Sequence, residues 1–155
     1  MTLQFSAPQY SEVTWLHQAL WPDLSIDDIA ARLDRLIKAQ RNQRAWGLVA
    51  RIDQEIVGFG QLARWTNEQT EICDLIVAPA WRSQGIGTQI ILHLLEIAQQ
   101  ERLPGIEIGC DVDNPRAFAL YQRLGFAHHR TVKLQLNGQH ETILYLRWPE
   151  MQMDG

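Results

Sequence analysis

Apolar and polar residues alternate along this chain with two different spacings, and these spacings divide it into predicted strands and helices. Apolar residues three or four apart predict a helix, and short apolar runs between turn residues predict strands. Residues 2–6 predict a first short strand. Val13, Leu16 and Leu20 predict a helix that ends at Trp21, because the residue before a proline is disfavoured in helical geometry.

A second helix and two strands follow. Ser25 is placed as an N-cap ahead of residues with helical spacing, so it predicts the start of the second helix. Residues 46–52 and 56–64 read as strands joined by a tight polar turn at residues 53–54. Residues 65–69 are predicted to form a polar connection.

The centre of the chain, residues 71–100, predicts a buried strand, a tight turn and a helix. The strand is a nearly continuous apolar run, as expected for a strand covered on both faces. Pro79 cannot donate to a sheet, so the strand ends before it. One apolar face of the helix is formed by Ile86, Ile90, Leu94 and Ile97.

The remaining pattern predicts a strand over 106–112, a helix opening at Asn114-Pro115, and a hairpin of strands 131–136 and 142–148 around an Asn-Gly turn. The predicted order is β-α-α-β-β-β-α-β-α-β-β. It indicates an α/β fold with a mixed, mostly antiparallel sheet, a central parallel βαβ unit and helices on both faces. We expect residues 1–155 to form one domain.

Composition narrows the possible functions. The chain has 155 residues, of which 46% are hydrophobic and 21% charged, and these values are typical of a globular protein. Its net charge of −4 gives no support to nucleic-acid binding, and no apolar run is long enough to predict a membrane span. No secretory signal is apparent, so we expect a cytoplasmic protein whose Cys73 and Cys110 are free thiols.

The turn after the central strand carries the clearest chemistry. Gly85 and Gly87 lack a Cβ, so their backbone can approach a ligand closely, and the helix that follows presents unpaired N–H groups and a positive dipole end. Such an arrangement binds phosphate, and Arg82 adds a planar cation. The predicted phosphate-binding residues are Arg82, Ser83, Gln84, Gly85, Ile86, Gly87 and Thr88.

Two motifs resemble the GNAT superfamily of N-acetyltransferases. The turn reads Arg-x-x-Gly-x-Gly, which is similar to the loop that holds the pyrophosphate of acetyl-coenzyme A in that family. Residues 114–126 match the pattern N-x-x-A-x-x-L-Y-x-x-x-G-F of the same family. The resemblance implies the GNAT fold, with acetyl-coenzyme A as acetyl donor and a primary amine as acceptor.

The resemblance also implies roles for individual residues. The main chain of Leu75, Ile76 and Val77 would line the cofactor in a gap between two splayed strands, and Asn114 would contact the pantetheine arm. Tyr121 would protonate the leaving thiolate. Glu71 is the candidate general base, or it orients a water that serves as base; a solvated carboxylate at a strand end is an equal alternative. If the strand alternates, Glu71 shares a face with Leu75, and Asp74 lies on the other face as a structural residue.

The acceptor is left open by the sequence. Trp15 to Pro22 resembles the opening of one group of aminoglycoside N-acetyltransferases, and acidic residues there predict a negative field for a polyamine or aminosugar: Glu12, Asp23, Asp27 and Asp28. The chain departs from that group at Cys73-Asp74, so a protein or peptide amine remains an alternative acceptor. A non-catalytic acyl-coenzyme A-binding domain is a further alternative. The histidines lack ligand spacing, so we predict no metal, and a homodimer is possible by analogy with the family.

Overall fold

A computed structural model describes residues 2–149 of the chain, apart from the side chain of Leu136. Seven strands form one sheet in the order β1-β2-β3-β4-β5-β7-β6. The elements are β1 (Leu3–Ser6), α1 (Val13–Leu20), α2 (Ile26–Arg41), β2 (Ala45–Ile52), β3 (Glu55–Thr66), β4 (Gln69–Val77), α3 (Ile86–Gln100), β5 (Ile106–Asp111), α4 (Pro115–Arg123), β6 (Ala127–Leu136) and β7 (Gln139–Arg147). The predicted order of elements is confirmed.

The sheet is antiparallel at every pair of neighbouring strands except β4 and β5, which run parallel. Helix α3 connects this parallel pair, so the predicted central βαβ unit is confirmed. The carboxyl ends of β4 and β5 therefore lie at the same edge of the sheet. Both strands lead into helices there, β4 into α3 and β5 into α4.

Helices cover both faces of the sheet, as predicted. One core cluster joins α3 and α4 to the strands, with Ile90, Ile91 and Leu94 fully buried. A second cluster packs α1 and α2 on the other face, mainly against β2 and β3, and contains Leu16 and Val49. Helices α1 and α2 pack mainly against β2 and β3 and reach Ile76 near the end of β4, so they leave the start of β4 and the strands β5, β6 and β7 uncovered on that face.

Element boundaries differ from the prediction mainly in the last hairpin. Strand β6 begins at Ala127 and β7 at Gln139, each several residues earlier than the apolar pattern indicates. The cause is tertiary, because Ala127 pairs with Arg147 and the ladder runs continuously to the turn. Across the part of the chain that the structure covers, no helix has the length and apolar character to cross a membrane.

The parallel pair is short and then diverges. Only Thr70, Glu71 and Ile72 of β4 pair with β5, although β4 continues to Val77. On its other side β4 carries a bulge, where the register with β3 shifts and Asp74 adopts a φ of 54°. A bulge bends its strand and redirects its side chains. The fold therefore opens a gap between β4 and β5 toward the edge where α3 and α4 begin.

Candidate active site

The gap between β4 and β5 leaves main-chain groups of β4 without a partner on the β5 side, beyond Ile72. The first turn of α3 lies at the end of this gap, since a Cβ at Gly87 would be 3.8 Å from Cγ2 of Val77. A ligand that enters this gap would therefore meet both the unpaired main chain of β4 and the N-terminal turn of α3. The divergence expected from the motif resemblance is therefore present in the structure.

The loop from Arg82 to Thr88 has free hydrogen-bond donors. Within residues 2–149, no group accepts a hydrogen bond from the backbone N–H of residues 83–88. Ser83 and Gly85 have φ values of 62° and 82°, so the loop winds tightly into α3. Helix α3 is 15 residues long, and its dipole directs partial positive charge to the same place.

The space above the loop is open. A Cβ at Gly85 would meet no atom within 4 Å, so a ligand can approach the backbone there. Arg82 donates from Nε to the carbonyl oxygen of Val77 at 3.1 Å, and this bond ties the guanidinium to the end of β4. These residues fit a diphosphate group, because free amides, a helix N-terminus and a cation converge on one accessible spot.

Helix α4 faces the gap from the β5 side. Asn114 caps it by accepting from the N–H of Ala117 at 3.2 Å, with Pro115 at the first helical position, as predicted. Tyr121 lies two turns further, 9% exposed, near Cys110 of β5. Burial raises the pKa of Tyr121 above 10.0, so its phenol keeps its proton at neutral pH. No described residue hydrogen-bonds its hydroxyl.

Glu71 lies on the opposite face of the sheet from α3. Its neighbour Ile72 is buried in the core with α3, so the alternation of the strand points Glu71 toward the face that α1 and α2 leave open. Its Oε1 accepts from Nε1 of Trp65 at 3.0 Å. Partial burial raises the pKa of Glu71 above 4.5, although the Trp65 hydrogen bond acts in the other direction. A half-buried carboxylate with a raised pKa is suited to accept a proton.

The expectation that Glu71 shares a face with Leu75, and that Asp74 lies opposite, is wrong. Leu75 packs on the α3 side, with its Cδ1 3.4 Å from where a Cβ of Gly60 would stand. Asp74 accepts a hydrogen bond from Gln61 and lines a cleft below α1 and α2. The bulge at Asp74 interrupts the alternation, so Asp74 lies on the same side of the sheet as Glu71, under the edge of α1 and α2, and Leu75 does not.

A buried carboxylate lies beside Glu71 on this open face. Glu107 is 4% exposed and accepts hydrogen bonds from Gln69 at 3.0 Å and from Arg130 at 3.0 and 3.3 Å. Burial alone would raise the pKa of Glu107, but the hydrogen bonds from Arg130 and Gln69 outweigh it and hold the pKa below its usual value. Glu107 is therefore a fixed anion that orients Arg130.

Arg130 in turn lies on an aromatic ring. Its guanidinium carbon is 4.0 Å from the ring centre of Tyr145. Tyr145 can lie flat over β5 because its partner Gly109 has no side chain, and a Cβ there would be 3.0 Å from the ring. We call the group formed by Trp65, Glu71, Glu107, Arg130 and Tyr145 the polar recess.

Both cysteines are free thiols, as predicted. Cys110 is buried, but Cys73 is half-buried on β4 rather than in the core. Burial, together with the nearby carboxylates of Asp74 and Glu71, raises the pKa of Cys73 to about 12. A thiol with that pKa is protonated at neutral pH and is a poor nucleophile.

The predicted acidic field of the first helices is weaker than expected, because Glu12 does not contribute to it. Its side chain is buried and forms an ion pair with Arg51. Asp23, Asp27 and Asp28 remain exposed near the start of α2. Glu12 is therefore a structural residue, and the predicted acidic field would have to come from the three aspartates.

Several residues of the polar recess were not indicated by the sequence motifs. The sequence pattern places Trp65 in a polar connection, but Trp65 belongs to β3 and contacts Glu71. Glu107 has a recognisable signal, since it is a lone charge in the apolar strand Ile-Glu-Ile. No sequence pattern near Arg130 or Tyr145 indicates a role at this site. Both residues come close to Glu71 only because β7 pairs with β5 and β6 pairs with β7.

Comparisons with known proteins agree with this geometry. Residues 9–126 match the family model described as the acetyltransferase (GNAT) family. N-alpha-acetyltransferase 30 of Schizosaccharomyces pombe is 27% identical over 136 residues, covering 87% of this chain and 77% of that protein. An uncharacterized N-acetyltransferase of Methanocaldococcus jannaschii is 36% identical over 66 residues, covering 43% of this chain but only 29% of that protein.

Solved structures share the fold at low identity. RimL, a ribosomal L7/L12 alpha-N-protein acetyltransferase in complex with coenzyme A, superposes with a TM-score of 0.82 at 20% identity, over 95% of this chain and 93% of that one. A spermidine N-acetyltransferase SpeG chimera from Vibrio cholerae and hSSAT gives 0.80 at 18% identity, over 97% and 96%. At these identities the likeness concerns the fold.

Proposed function

The chain belongs to the acetyltransferase (GNAT) family, and we propose that it transfers the acetyl group of acetyl-coenzyme A directly to a primary amine of a small molecule that carries more than one positive charge. Acetyl-coenzyme A is the acetyl donor, and the chain is an acyltransferase that acts on amines. The acceptor class and the roles of single residues are the content of the proposal.

The half-buried Glu71 beside the gap is the observation that carries the proposal. An ammonium group cannot attack a thioester until it loses a proton. Glu71 would accept that proton, directly or through a water, on the face opposite α3. The donor thioester would lie in the gap between β4 and β5, so amine and thioester would approach each other from the two faces of the sheet.

Tyr121 supplies the second proton transfer. As the new carbon–nitrogen bond forms, the carbon–sulfur bond breaks and its electron pair stays on sulfur. The phenol of Tyr121, which keeps its proton at neutral pH, would protonate that thiolate, and the phenolate would regain a proton through solvent as the acetylated nitrogen loses its remaining extra proton. The high pKa of Cys73 argues against an acetyl-cysteine intermediate and supports direct attack by the amine.

Two carboxylates on one face favour an acceptor with several ammonium groups. Asp74 lines the cleft below α1 and α2, three residues along β4 from Glu71, and the bulge places both carboxylates on the same side of the sheet. A carboxylate at each position would bind one ammonium group, so an aminoglycoside or a polyamine has the right charge pattern. Asp23, Asp27 and Asp28 are also exposed near the start of α2, while Arg32 lines the same cleft as Asp74.

A protein or peptide amine is the second candidate acceptor. The likeness to N-alpha-acetyltransferase 30 covers most of both chains and includes the first half, which shapes the acceptor side. Release of free thiol from acetyl-coenzyme A, measured with aminoglycosides, polyamines and peptides with free N-termini, separates the candidates. We expect the highest kcat/KM with a polyamine or aminoglycoside; faster turnover of the peptides would overturn the small-molecule proposal.

Gly85→Ala is expected to weaken acetyl-coenzyme A binding at least tenfold. An alanine at a φ of 82° costs about 1–2 kcal/mol, and the loop would relieve this strain by moving its free amides. Gly138→Ala is the matched control, because Gly138 also has a positive φ of 76° and open space around it, in the β6–β7 turn. Calorimetry checks both variants; equal affinities would mean that the loop amides do not hold the donor.

A further inference from the structure

Trp65 is an unusually exposed tryptophan at the edge of the polar recess. Its residue surface is 61% exposed, although a tryptophan that only stabilises a fold is normally mostly buried. Among residues 2–149, its one polar contact is the 3.0 Å hydrogen bond from Nε1 to Oε1 of Glu71. The ring therefore contributes little packing and makes one specific contact with the candidate base.

The position of Trp65 results from an irregularity in the β3–β4 hairpin. Ala63 pairs with Glu71 and Thr66 pairs with Gln69, and the register shifts between Arg64 and Thr66. Trp65 lies within that shift, so its side chain leans across to the diagonal neighbour on β4. Bulges next to active sites commonly redirect a side chain in this way.

The hydrogen bond uses one carboxylate oxygen of Glu71 and leaves the other available. No described residue contacts Oε2 of Glu71 by a hydrogen bond. A carboxylate anchored at one oxygen loses rotational freedom, and its second oxygen then points in a fixed direction. The exposed ring beside it offers an apolar face with a negative quadrupole, which attracts ammonium groups.

From this geometry we propose that Trp65 is a positioning residue for the acetyl transfer: its indole N–H fixes Oε1 of Glu71, so that Oε2 faces the acceptor amine, and its ring forms one wall of the acceptor site. The inference rests on the proposed function, in which Glu71 accepts the proton. It adds a residue outside both sequence motifs, and it limits the acceptor to amines whose body can lie against an indole.

Several charged or titratable groups around Glu71 affect its pKa, and a test of Trp65 must leave them unchanged. Besides Trp65 on β3, the groups that face it are Glu107 on β5, Arg130 on β6, Tyr145 on β7, and Cys73 and Asp74 on its own strand. None of these changes when Trp65 is replaced. A change in the pKa of Glu71 after that replacement therefore measures the effect of the indole hydrogen bond.

The experiment compares Trp65→Phe, which keeps an aromatic ring and removes the N–H, with Trp65→Ala, which removes both. For Trp65→Phe we expect kcat to fall about tenfold with the KM for acetyl-coenzyme A unchanged, and the acidic limb of the pH profile to move to higher pH. Trp65→Ala should in addition raise the KM for the amine. An unmoved acidic limb together with wild-type kcat in Trp65→Phe would overturn the inference.

The Glu71→Gln variant allows the role of Trp65 to be tested separately from the proposed role of Glu71 as base. In the Glu71→Gln background, Trp65→Phe should have no further effect on kcat, because the group that it positions is gone. In proton–nitrogen NMR spectra the indole N–H of Trp65 should follow the titration of Glu71 in the wild type and lose that response in Glu71→Gln. Full turnover of Glu71→Gln would reject the proposed base; a slow Glu71→Gln with an unaffected Trp65→Phe would reject only the role of Trp65.

Discussion

Glu71→Gln is expected to lower kcat about 100-fold for the preferred amine, because general-base catalysis contributes at least that factor. Glutamine has nearly the same shape and can still accept from Nε1 of Trp65, but it cannot take a proton. Steady-state kinetics of thiol release measures the effect. The dissociation constant of acetyl-coenzyme A should not change, since the loop proposed to bind it follows Val77, at the far end of β4 from Glu71.

The raised pKa of Glu71 also predicts the direction in which activity changes with pH. Burial raises the pKa of Glu71 above its ordinary value of 4.5. The base is active when deprotonated, so wild-type kcat/KM should fall as pH decreases through that raised pKa. In Glu71→Gln this limb should disappear, and activity should rise only as the free amine becomes available at high pH.

The same substitution should leave stability unchanged or increase it. Because the pKa of Glu71 is higher in the folded chain than in the unfolded chain, the stability linked to this group is greatest below the unfolded pKa and decreases as pH rises through the folded pKa. At pH 7 the partly buried carboxylate therefore costs stability, and glutamine avoids that cost. Loss of activity with an equal or higher Tm excludes misfolding as its cause.

Glu96→Gln is the matched control, because Glu96 is exposed on α3, on the other face of the sheet. It removes the same charge from the chain and should keep wild-type kcat. If Glu71→Gln and Glu96→Gln both behave like the wild type, Glu71 is a solvated carboxylate at a strand and another group takes the proton.

Tyr121→Phe is expected to reduce kcat about 100-fold as well, with a dissociation constant for acetyl-coenzyme A within twofold of the wild type. The ring of Tyr121 packs in the core and phenylalanine keeps it, while the hydroxyl has no hydrogen-bond partner within residues 2–149. The change should therefore remove a proton donor without a loss of stability. Thiol release and calorimetry measure the two quantities.

Tyr10→Phe is the control for removal of a phenol hydroxyl. Tyr10 is exposed and its hydroxyl donates to Asp34 at 2.8 Å, away from the gap. We expect normal turnover in this variant. Normal turnover in Tyr121→Phe would mean that Tyr121 serves packing only and that solvent protonates the leaving thiolate.

The local chemistry of the chain was readable from its sequence. Gly85 and Asn114 act within a few residues of their positions, one in a turn with positive φ and the other as a helix cap. Short-range rules describe such residues well, because the groups they satisfy are neighbours in sequence. The same rules located the seven strands and four α-helices of residues 2–149, since each apolar stripe must face a core.

Where a strand is irregular, the sequence did not predict on which face of the sheet a side chain lies. A bulge of one residue at Asp74 reverses the alternation, so the relation between Glu71 and Leu75 was predicted wrongly. The bulge depends on how β3 pairs with β4, and no residue in β4 alone specifies it. Glu12 was misjudged for a similar reason, because its partner Arg51 is distant in sequence.

By itself the sequence determined the order of elements, the tight turn that leads into α3 and the place of Tyr121 on α4, because each depends on contacts within one or two turns of chain. Only the tertiary structure decided how far β4 and β5 pair, which face Asp74 occupies and which groups surround Glu71. Those features depend on five neighbouring strands. Glu71 lies on β4, and its surroundings come from the other four strands: Trp65 on β3, Glu107 on β5, Arg130 on β6 and Tyr145 on β7. Such contacts depend on register between distant segments, which local propensity does not encode.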